Sequence, residues 1–363
     1  MTGAGVDRAA RRDQVRRVLA AHDLDALLLL DPADVRYLSG FAGSNGQVLL
    51  TVDSDGDRLL TDGRYEGPAR ALDDLEVALS RDPLAVATEV VPGGTIGVDD
   101  ASLSWADARR WQDRADEAGG RLVAVDDPVG AARQVKDDAE IATLAQACAI
   151  TVDALEELFA DQVRVGVTER QLARWLERRF VDLGAEQVAF PSIVASGPNA
   201  AVPHHTPTDR PLATGDVLTV DCGARVDGYH ADCTRTVAVG HLDAPLDEVY
   251  ALVEQAQAAG RAAAVTGAAA GDVDRACREV IAAAGYGARF VHGTGHGVGL
   301  DIHERPAVAR GASATLRPGT TLTVEPGVYL PGIGGVRIED TIVVTADGAP
   351  RVLTDTPREL RVL

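Results

Sequence analysis

The sequence predicts an α+β protein in which a smaller α/β first part precedes a larger second part organised around paired strands. Three observations predict this. Helix and strand patterns alternate through the first 125 or so residues. From about residue 129, long helices are separated by glycine-punctuated strand stretches without strict β-α-β order. Within that second part the stretch GDVLTVDCG (215–223) recurs as GTTLTVEPG (319–327), 104 residues later. A chain of 363 residues, at ~150 residues per domain, has room for two domains or one large one with an ample core.

Residues 8–22 set Val15, Val18 and Leu19 among arginines, an amphipathic helix pattern. The aliphatic run 26–30 reads as a buried strand, and in YLSGFAGSNGQVLLTV the glycines Gly40, Gly43 and Gly46 break the chain before a second one. A strand at 58–61, a helix starting near Asp62 and short apolar runs at 96–98 and 122–125 continue the alternation. In DDPVGAARQVKDDAE, Pro128 and Gly130 mark a boundary, and Asp137 and Asp138 supply an N-cap and first-turn acid for the next helix. The expected domains are therefore 1–128 and 129–363, the second with helices at 137–160, 168–183, 246–265 and 271–284.

Composition narrows the function classes. The hydrophobic share of 46% and charged share of 25% are those of an ordinary globular protein and exclude a disordered or fibrous chain. With 35 Lys plus Arg against 55 Asp plus Glu, the formal charge is −20; only one of the cations, Lys136, is a lysine. So acidic a surface repels phosphate, which argues against nucleic-acid and anionic-membrane partners and leaves cations and neutral peptides. The cysteines Cys148, Cys222, Cys233 and Cys277 show no CxxC spacing, which fits a reducing compartment. The first residues lack the apolar region of a signal peptide, and the aliphatic run at 27–30 is far short of the ~20 residues a bilayer span needs. A cytoplasmic location is expected.

The repeat carries the chemistry. In VDCGARVDGYHADCTRT, Asp221 lies on an apolar strand and Asp232 on its return, equidistant from a turn centred on Val226 and Asp227. A hairpin with that turn sets the two acids opposite each other, ~4.5–5.5 Å apart at Cβ, where like charges repel and a positive charge is needed between them. The second copy adds Glu325, after Leu322 and Val324, and Glu339, between Ile338 and the run 342–344. Four acids on apolar strands in two repeated hairpins favour a metal site over capping or solvated residues, because buried carboxylates require a counter-charge.

Seven of the eight histidines lie in this half of the chain: His204, His205, His230, His241, His292, His296 and His303. His292 and His296 are four residues apart, but the glycines between His292 and Leu300 favour a loop or strand over a helix. One imidazole with four carboxylates suits Mn²⁺, Co²⁺ or Zn²⁺; residue type and spacing single out no one histidine. Rival motifs fail: there is no HExxH, no Walker A sequence, no GxSxG frame around Ser196, and GTGHGVG lacks dinucleotide-site spacing. Cys222 and Cys233 each follow an acid, so on a strand they face the opposite side, as core residues.

These residues resemble the pita-bread metallopeptidases, within them the proline-specific branch of aminopeptidase P and prolidase. The resemblance spans nearly the whole chain and rests on SGPNAAVPHHTPTDRPL, DCGARVDGYHADCTRT, HGTGHGVGLDIHE and TVEPGVYLPGIGGVRIED, with YLSGFAGSNG and TDGRYEGPA upstream. It implies a pita-bread, creatinase/aminopeptidase-like C-terminal domain behind a smaller creatinase-like N-terminal domain. It implies two divalent ions per chain, Mn²⁺ foremost with Co²⁺ or Zn²⁺ as alternatives. Their ligands fall on Asp221, Asp232, His296, Glu325 and Glu339, with Asp232 and Glu339 bridging. By the same carry-over His204, His292, His303 and Arg337 line the substrate site, and Glu325 is the proton shuttle for a metal-bridging hydroxide.

The implied activity is hydrolysis of the Xaa-Pro bond at a peptide N-terminus, as in aminopeptidase P, by a homodimer acting on peptides with proline in second position. The alternatives are a prolidase restricted to Xaa-Pro dipeptides, a methionine aminopeptidase, or a non-catalytic binding module. None of the five ligand positions is substituted, which weighs against the last.

Overall fold

The computed structural model describes residues 6–363. They form two compact units, one ending at Arg133 and the other running from Gln134 to Leu363.

The first unit is built on a six-stranded mixed sheet in the order Glu76–Leu79, Arg58–Thr61, Gly46–Thr51, Ala26–Leu29, Thr95–Asp99, Arg121–Val125. Ala26–Leu29 is a central strand, fully buried on both faces, parallel to Thr95–Asp99 and antiparallel to Gly46–Thr51. That explains an unbroken aliphatic run where a half-buried strand would alternate. The helix Arg8–Ala21 is capped by Asp7, whose carboxylate accepts the Ala10 N–H. The helix expected near Asp62 instead begins at Glu66 and ends at Arg70. The Asp62 carboxylate accepts the Arg64 N–H and Asn45 Nδ2, so it closes a local turn rather than starting a helix. Helices Pro32–Ser39, Pro83–Val90 and Trp105–Glu117 and the partly exposed edge strand Glu76–Leu79 complete the unit.

In the second unit the repeat is larger than its strands. A helix pair, Asp138–Asp161 and Glu169–Asp182, packs on a first long hairpin through Leu155, Leu158, Leu172 and Phe180 against Leu218, Val220 and Cys222. A second pair, Leu246–Ala263 and Ala270–Ala283, packs on a second hairpin through Val253, Val273 and Ile281 against Leu322, Val324 and Ile342. Asp137 and Glu140 form a capping box at the start of the first of these helices, and Thr168 and Gln171 another at the second. Cys222 and Cys233 are fully buried core residues.

The registers of the two hairpins place the acids. In the first, Val217–Cys222 and Ala224–Val226 return as Tyr229–His230 and Cys233–Ala238. The tight turn is Asp227-Gly228, both with positive φ (44° and 77°), the twist-matched geometry of a two-residue hairpin loop. The turn therefore lies one residue beyond the centre expected from sequence. Asp221 pairs with Thr234, and Asp232 is two residues along from that partner, a diagonal neighbour ~7–8 Å away rather than a directly opposed one. In the second hairpin Val324 pairs with Asp340 and Gly327 with Arg337, so Glu325 and Glu339 fall opposite each other between strand segments. There each leaves its own hairpin: the Glu339 N–H donates to the Thr234 carbonyl, and the Glu325 N–H to the Thr294 carbonyl. Among the described residues no helix is long and apolar enough to cross a membrane.

Candidate metal centre

Where the hairpins meet, Asp221, Asp232, Glu325 and Glu339 converge with His296 on one cavity of about 180 Å³. His296 is the middle residue of the short strand Gly295–Gly297, which pairs with Leu322 of the second hairpin. The flanking glycines are required by close packing: a Cβ at Gly295 would lie 2.1 Å from the Thr323 carbonyl oxygen, and one at Gly297 2.0 Å from that of Arg305. Glycine on both sides lets the backbone approach and leaves the imidazole as the only side chain there. His296 Nδ1–H donates to the Gly297 carbonyl (3.0 Å). Nε2 then faces the acids, 3.4 Å from Glu325 Oε1 and 3.5 Å from Asp232 Oδ2. One ligand atom each from Asp232, His296 and Glu339 lies within 4.8 Å of the others.

Charge is crowded here. Burial first, and then the neighbouring carboxylates, push the Asp232 and Glu339 carboxyls well above the usual carboxylate range. Burial also works against the Glu325 carboxylate, but the hydrogen bond and charge of His296 hold it below its ordinary value. The same contact raises His296 in spite of burial. Burial lowers His292 and His303.

The donor set fits divalent cations. Asp221 Oδ1 and Glu339 Oε1 are buried with no hydrogen-bond partner among the described residues, a costly state for a carboxylate oxygen unless a cation binds it. The second oxygen of each is already held: Arg337 Nη2 donates to Asp221 Oδ2 (2.7 Å), and Thr234 Oγ1 to Glu339 Oε2 (2.7 Å). Fixing one oxygen while the other faces the cavity is the outer support seen around metal-binding carboxylates.

The remaining sequence candidates separate into two groups. His204 and His303 line the cavity, with the His303 ring edge-on to His296 at 4.3 Å. Arg337 and His292 stand behind its wall, joined by Tyr329: Arg337 Nη1 donates to the Tyr329 hydroxyl (2.8 Å), which donates to His292 Nε2 (2.8 Å), while His292 Nδ1–H donates to the Gly293 carbonyl. Arg337 Nε also donates to Thr234 Oγ1, so one guanidinium orders Asp221, Thr234 and Tyr329 together. Sequence reading named none of Phe190, Ile193 and Ile302, the apolar part of the cavity wall, nor Tyr329, and it placed Thr234 only as a strand residue after Asp232. Ile302 sits beside His303, but nothing in a single sequence marks an isolated apolar residue as wall rather than core.

Comparison with known proteins agrees with this geometry. Residues 142–346 match metallopeptidase family M24, and residues 11–135 match the creatinase/prolidase N-terminal domain. The uncharacterized peptidase YqhT of Bacillus subtilis is 36% identical over 356 residues, covering 97% of this chain and 99% of that one. Among solved structures, a Xaa-Pro dipeptidase from Bacillus anthracis superposes with a TM-score of 0.93 at 34% identity, covering 98% of this chain and all of that one. An X-Pro aminopeptidase from Thermotoga maritima gives 0.86 at 34% identity, covering 97% and 99%. With four acids, three buried and Glu325 partly so, and a histidine gathered between two repeated hairpins, and with these matches along its length, the chain belongs to metallopeptidase family M24, its pita-bread domain preceded by a creatinase-type N-terminal domain.

Proposed function

We propose that this protein hydrolyses the peptide bond between an N-terminal residue and a following proline, releasing the first residue as aminopeptidase P does. The observation that carries this reading is the composition of the cavity. Carboxylates and His296 lie beside Phe190, Ile193 and Ile302, so a charged amine and an apolar ring find complementary surroundings in one space. A second reading, a dipeptidase that accepts only Xaa-Pro, is favoured by the name of the Bacillus anthracis relative; the Thermotoga maritima relative carries the aminopeptidase name.

Asp221, Asp232, His296, Glu325 and Glu339 would hold two divalent ions, Mn²⁺ foremost, with Co²⁺ or Zn²⁺ as alternatives. Bound there, such ions supply Lewis acidity that polarises a carbonyl oxygen and makes water nucleophilic near neutral pH. The chain's own groups do the rest. Glu325, kept ionised by His296, accepts a proton from the attacking water and delivers it to the proline nitrogen as the C–N bond breaks. His204 and His303 face the cavity and donate to the developing oxyanion. Phe190, Ile193 and Ile302 hold the pyrrolidine ring, which has no N–H to satisfy. Arg337 and His292 act behind the wall, by fixing Asp221 and Tyr329.

The reading includes a cytoplasmic homodimer. Its support is the family resemblance; light scattering at twice the chain mass tests the dimer. The deciding experiment is release of the first residue from Xaa-Pro and Xaa-Pro-Yaa by Mn²⁺-loaded protein. Cleavage of both supports the aminopeptidase, cleavage of the dipeptide alone supports the dipeptidase, and turnover of neither refutes both.

A further inference from the structure

Glu169 opens the helix Glu169–Asp182 and is completely buried, 0% exposed, away from the five proposed ligands. Such a carboxylate normally loses its charge. Here burial does act to raise it, but the combined hydrogen bonds from Thr208, Asn199 and His205 hold it at about 2. The bonds are unusually complete. Oε1 accepts from Ser196 N–H (2.8 Å), Ser196 Oγ (2.7 Å) and Asn199 Nδ2 (3.0 Å). Oε2 accepts from His205 Nε2 (2.9 Å), Thr208 N–H (3.0 Å) and Thr208 Oγ1 (2.7 Å). All six donors belong to residues 196–208, a segment that is otherwise a single 3₁₀ turn, Gly197–Ala201, followed by irregular chain.

That segment carries His204 to the cavity. His204 itself is exposed and no side-chain hydrogen bond to another described residue orients it, so the path of the backbone, which Arg337 Nη1 also holds at the Pro203 carbonyl (3.4 Å), sets where its imidazole can reach. Its neighbour His205 is bonded to Glu169, and Asn199 and Thr208, on either side, are bonded to the same carboxylate. Two backbone bonds, Arg170 N–H to the Thr208 carbonyl and Glu169 N–H to the Arg210 carbonyl, tie the far end of the segment to the same helix turn.

We propose that Glu169 is a positioning residue for the peptidase reaction, which gathers residues 196–208 onto one carboxylate so that His204 stands against the scissile carbonyl. The inference rests on the Xaa-Pro reading for its substrate and on His204 as the residue through which Glu169 acts. Glutamine cannot reproduce this set: in either orientation its amide NH₂ would confront a backbone N–H, of Ser196 or of Thr208, that can only donate. A displacement of about 1 Å at a positioned group costs ~10²-fold in rate.

The test compares Glu169→Gln, Glu169→Asp, His204→Ala and the double variant E169Q/H204A. Each is loaded with Mn²⁺, checked for metal content by elemental analysis, and assayed on one Xaa-Pro substrate. The expected result is a ~10²-fold loss of kcat/KM in E169Q at unchanged metal content, partial recovery in E169D, and less than a ~3-fold further loss when E169Q is added to H204A. Full additivity of the two changes, or wild-type kinetics in E169Q, overturns the proposal. If E169Q does not fold, Asn199→Ala, which removes one donor and keeps the carboxylate, takes its place with the same non-additivity required. If the wild-type protein cleaves no Xaa-Pro bond, the substrate reading fails alone. The His204 imidazole resonance, assigned by its loss in H204A, then decides: a shift in E169Q upholds positioning, and an unmoved resonance rejects it.

Discussion

Lys136 Nζ and Glu304 Oε1 form an ion pair inside the second unit, with side chains only 1% and 7% exposed. Lys136 is the only lysine in the chain, and it is thus a buried partner rather than a residue of the acidic surface. The Lys136 N–H donates to the Gly319 carbonyl, and Glu304 directly follows His303, so the pair anchors the segment that brings Ile302 and His303 to the cavity. Lys136→Met removes one charge of a buried pair and is expected to destabilise the protein by about 3–5 kcal/mol, with much of the loss recovered in K136M/E304L. Urea unfolding of the two variants measures this. Because no other lysine exists, an amine-acylating reagent followed by mass spectrometry should modify Lys136 only after unfolding.

The acids of the centre repel one another, so removal of metal and removal of a carboxylate should have opposite effects. Chelator is expected to lower the melting temperature of the wild-type protein. Asp232→Asn eliminates a carboxyl driven well above its usual range by burial and by Glu339, Asp221 and Glu325. In chelator D232N should therefore melt above wild type, and with Mn²⁺ it should gain far less. Differential scanning fluorimetry with and without Mn²⁺ reads both signs; equal gains would remove Asp232 from the ligand set.

Arg337 orders Asp221 and Tyr329 with separate nitrogens, a task a lysine ammonium cannot perform in the same geometry. Arg337→Lys is expected to weaken Mn²⁺ binding ~10- to 100-fold, whereas Tyr329→Phe should leave metal affinity near wild type and lower kcat. Metal titration by calorimetry alongside steady-state kinetics separates the two variants.

Glu169 also makes a pH prediction. Its carboxyl titrates at about 2 in the folded protein against an ordinary value of 4.5. The ionised form is thus favoured by folding, and its contribution is complete above about pH 4.5. The contribution declines as pH falls through 2, amounting to about 3 kcal/mol at most. Urea unfolding between pH 6 and 3 should show a steeper acid loss in wild type than in Glu169→Gln.

The fold class and the four acids that converge on one cavity were legible because they follow from patterns that repeat. The recurrence of GDVLTVDCG as GTTLTVEPG exposed the duplicated hairpins, and acids on apolar strands violated an expectation strong enough to notice. The diagonal offset of Asp221 and Asp232 was not legible, since it hangs on whether the turn is centred one residue earlier or later around Asp227. The duplicated helix pairs escaped notice because helices need only keep an apolar face, and many sequences satisfy that. Glu169, Thr234 and Tyr329 were invisible for a different reason: apart from the Arg337–Tyr329 contact, 8 residues apart, they act through partners 27 to 105 residues away in sequence, and no local pattern records such a meeting.

The joining of the hairpins at Thr234 and Glu339 also ties folding to the ions the acids would bind. Each hairpin closes locally around its own turn, but Asp221 and Glu339 belong to different hairpins more than a hundred residues apart in the chain. Their approach closes a long loop, and it brings like charges together rather than apolar groups. The carboxylate cluster is thus an internally opposed part of the fold, complete only when both hairpins have met. Ions that bind the docked state and not its separated halves would add their binding free energy to folding, so metal supply would set the stability of the folded enzyme as well as its turnover.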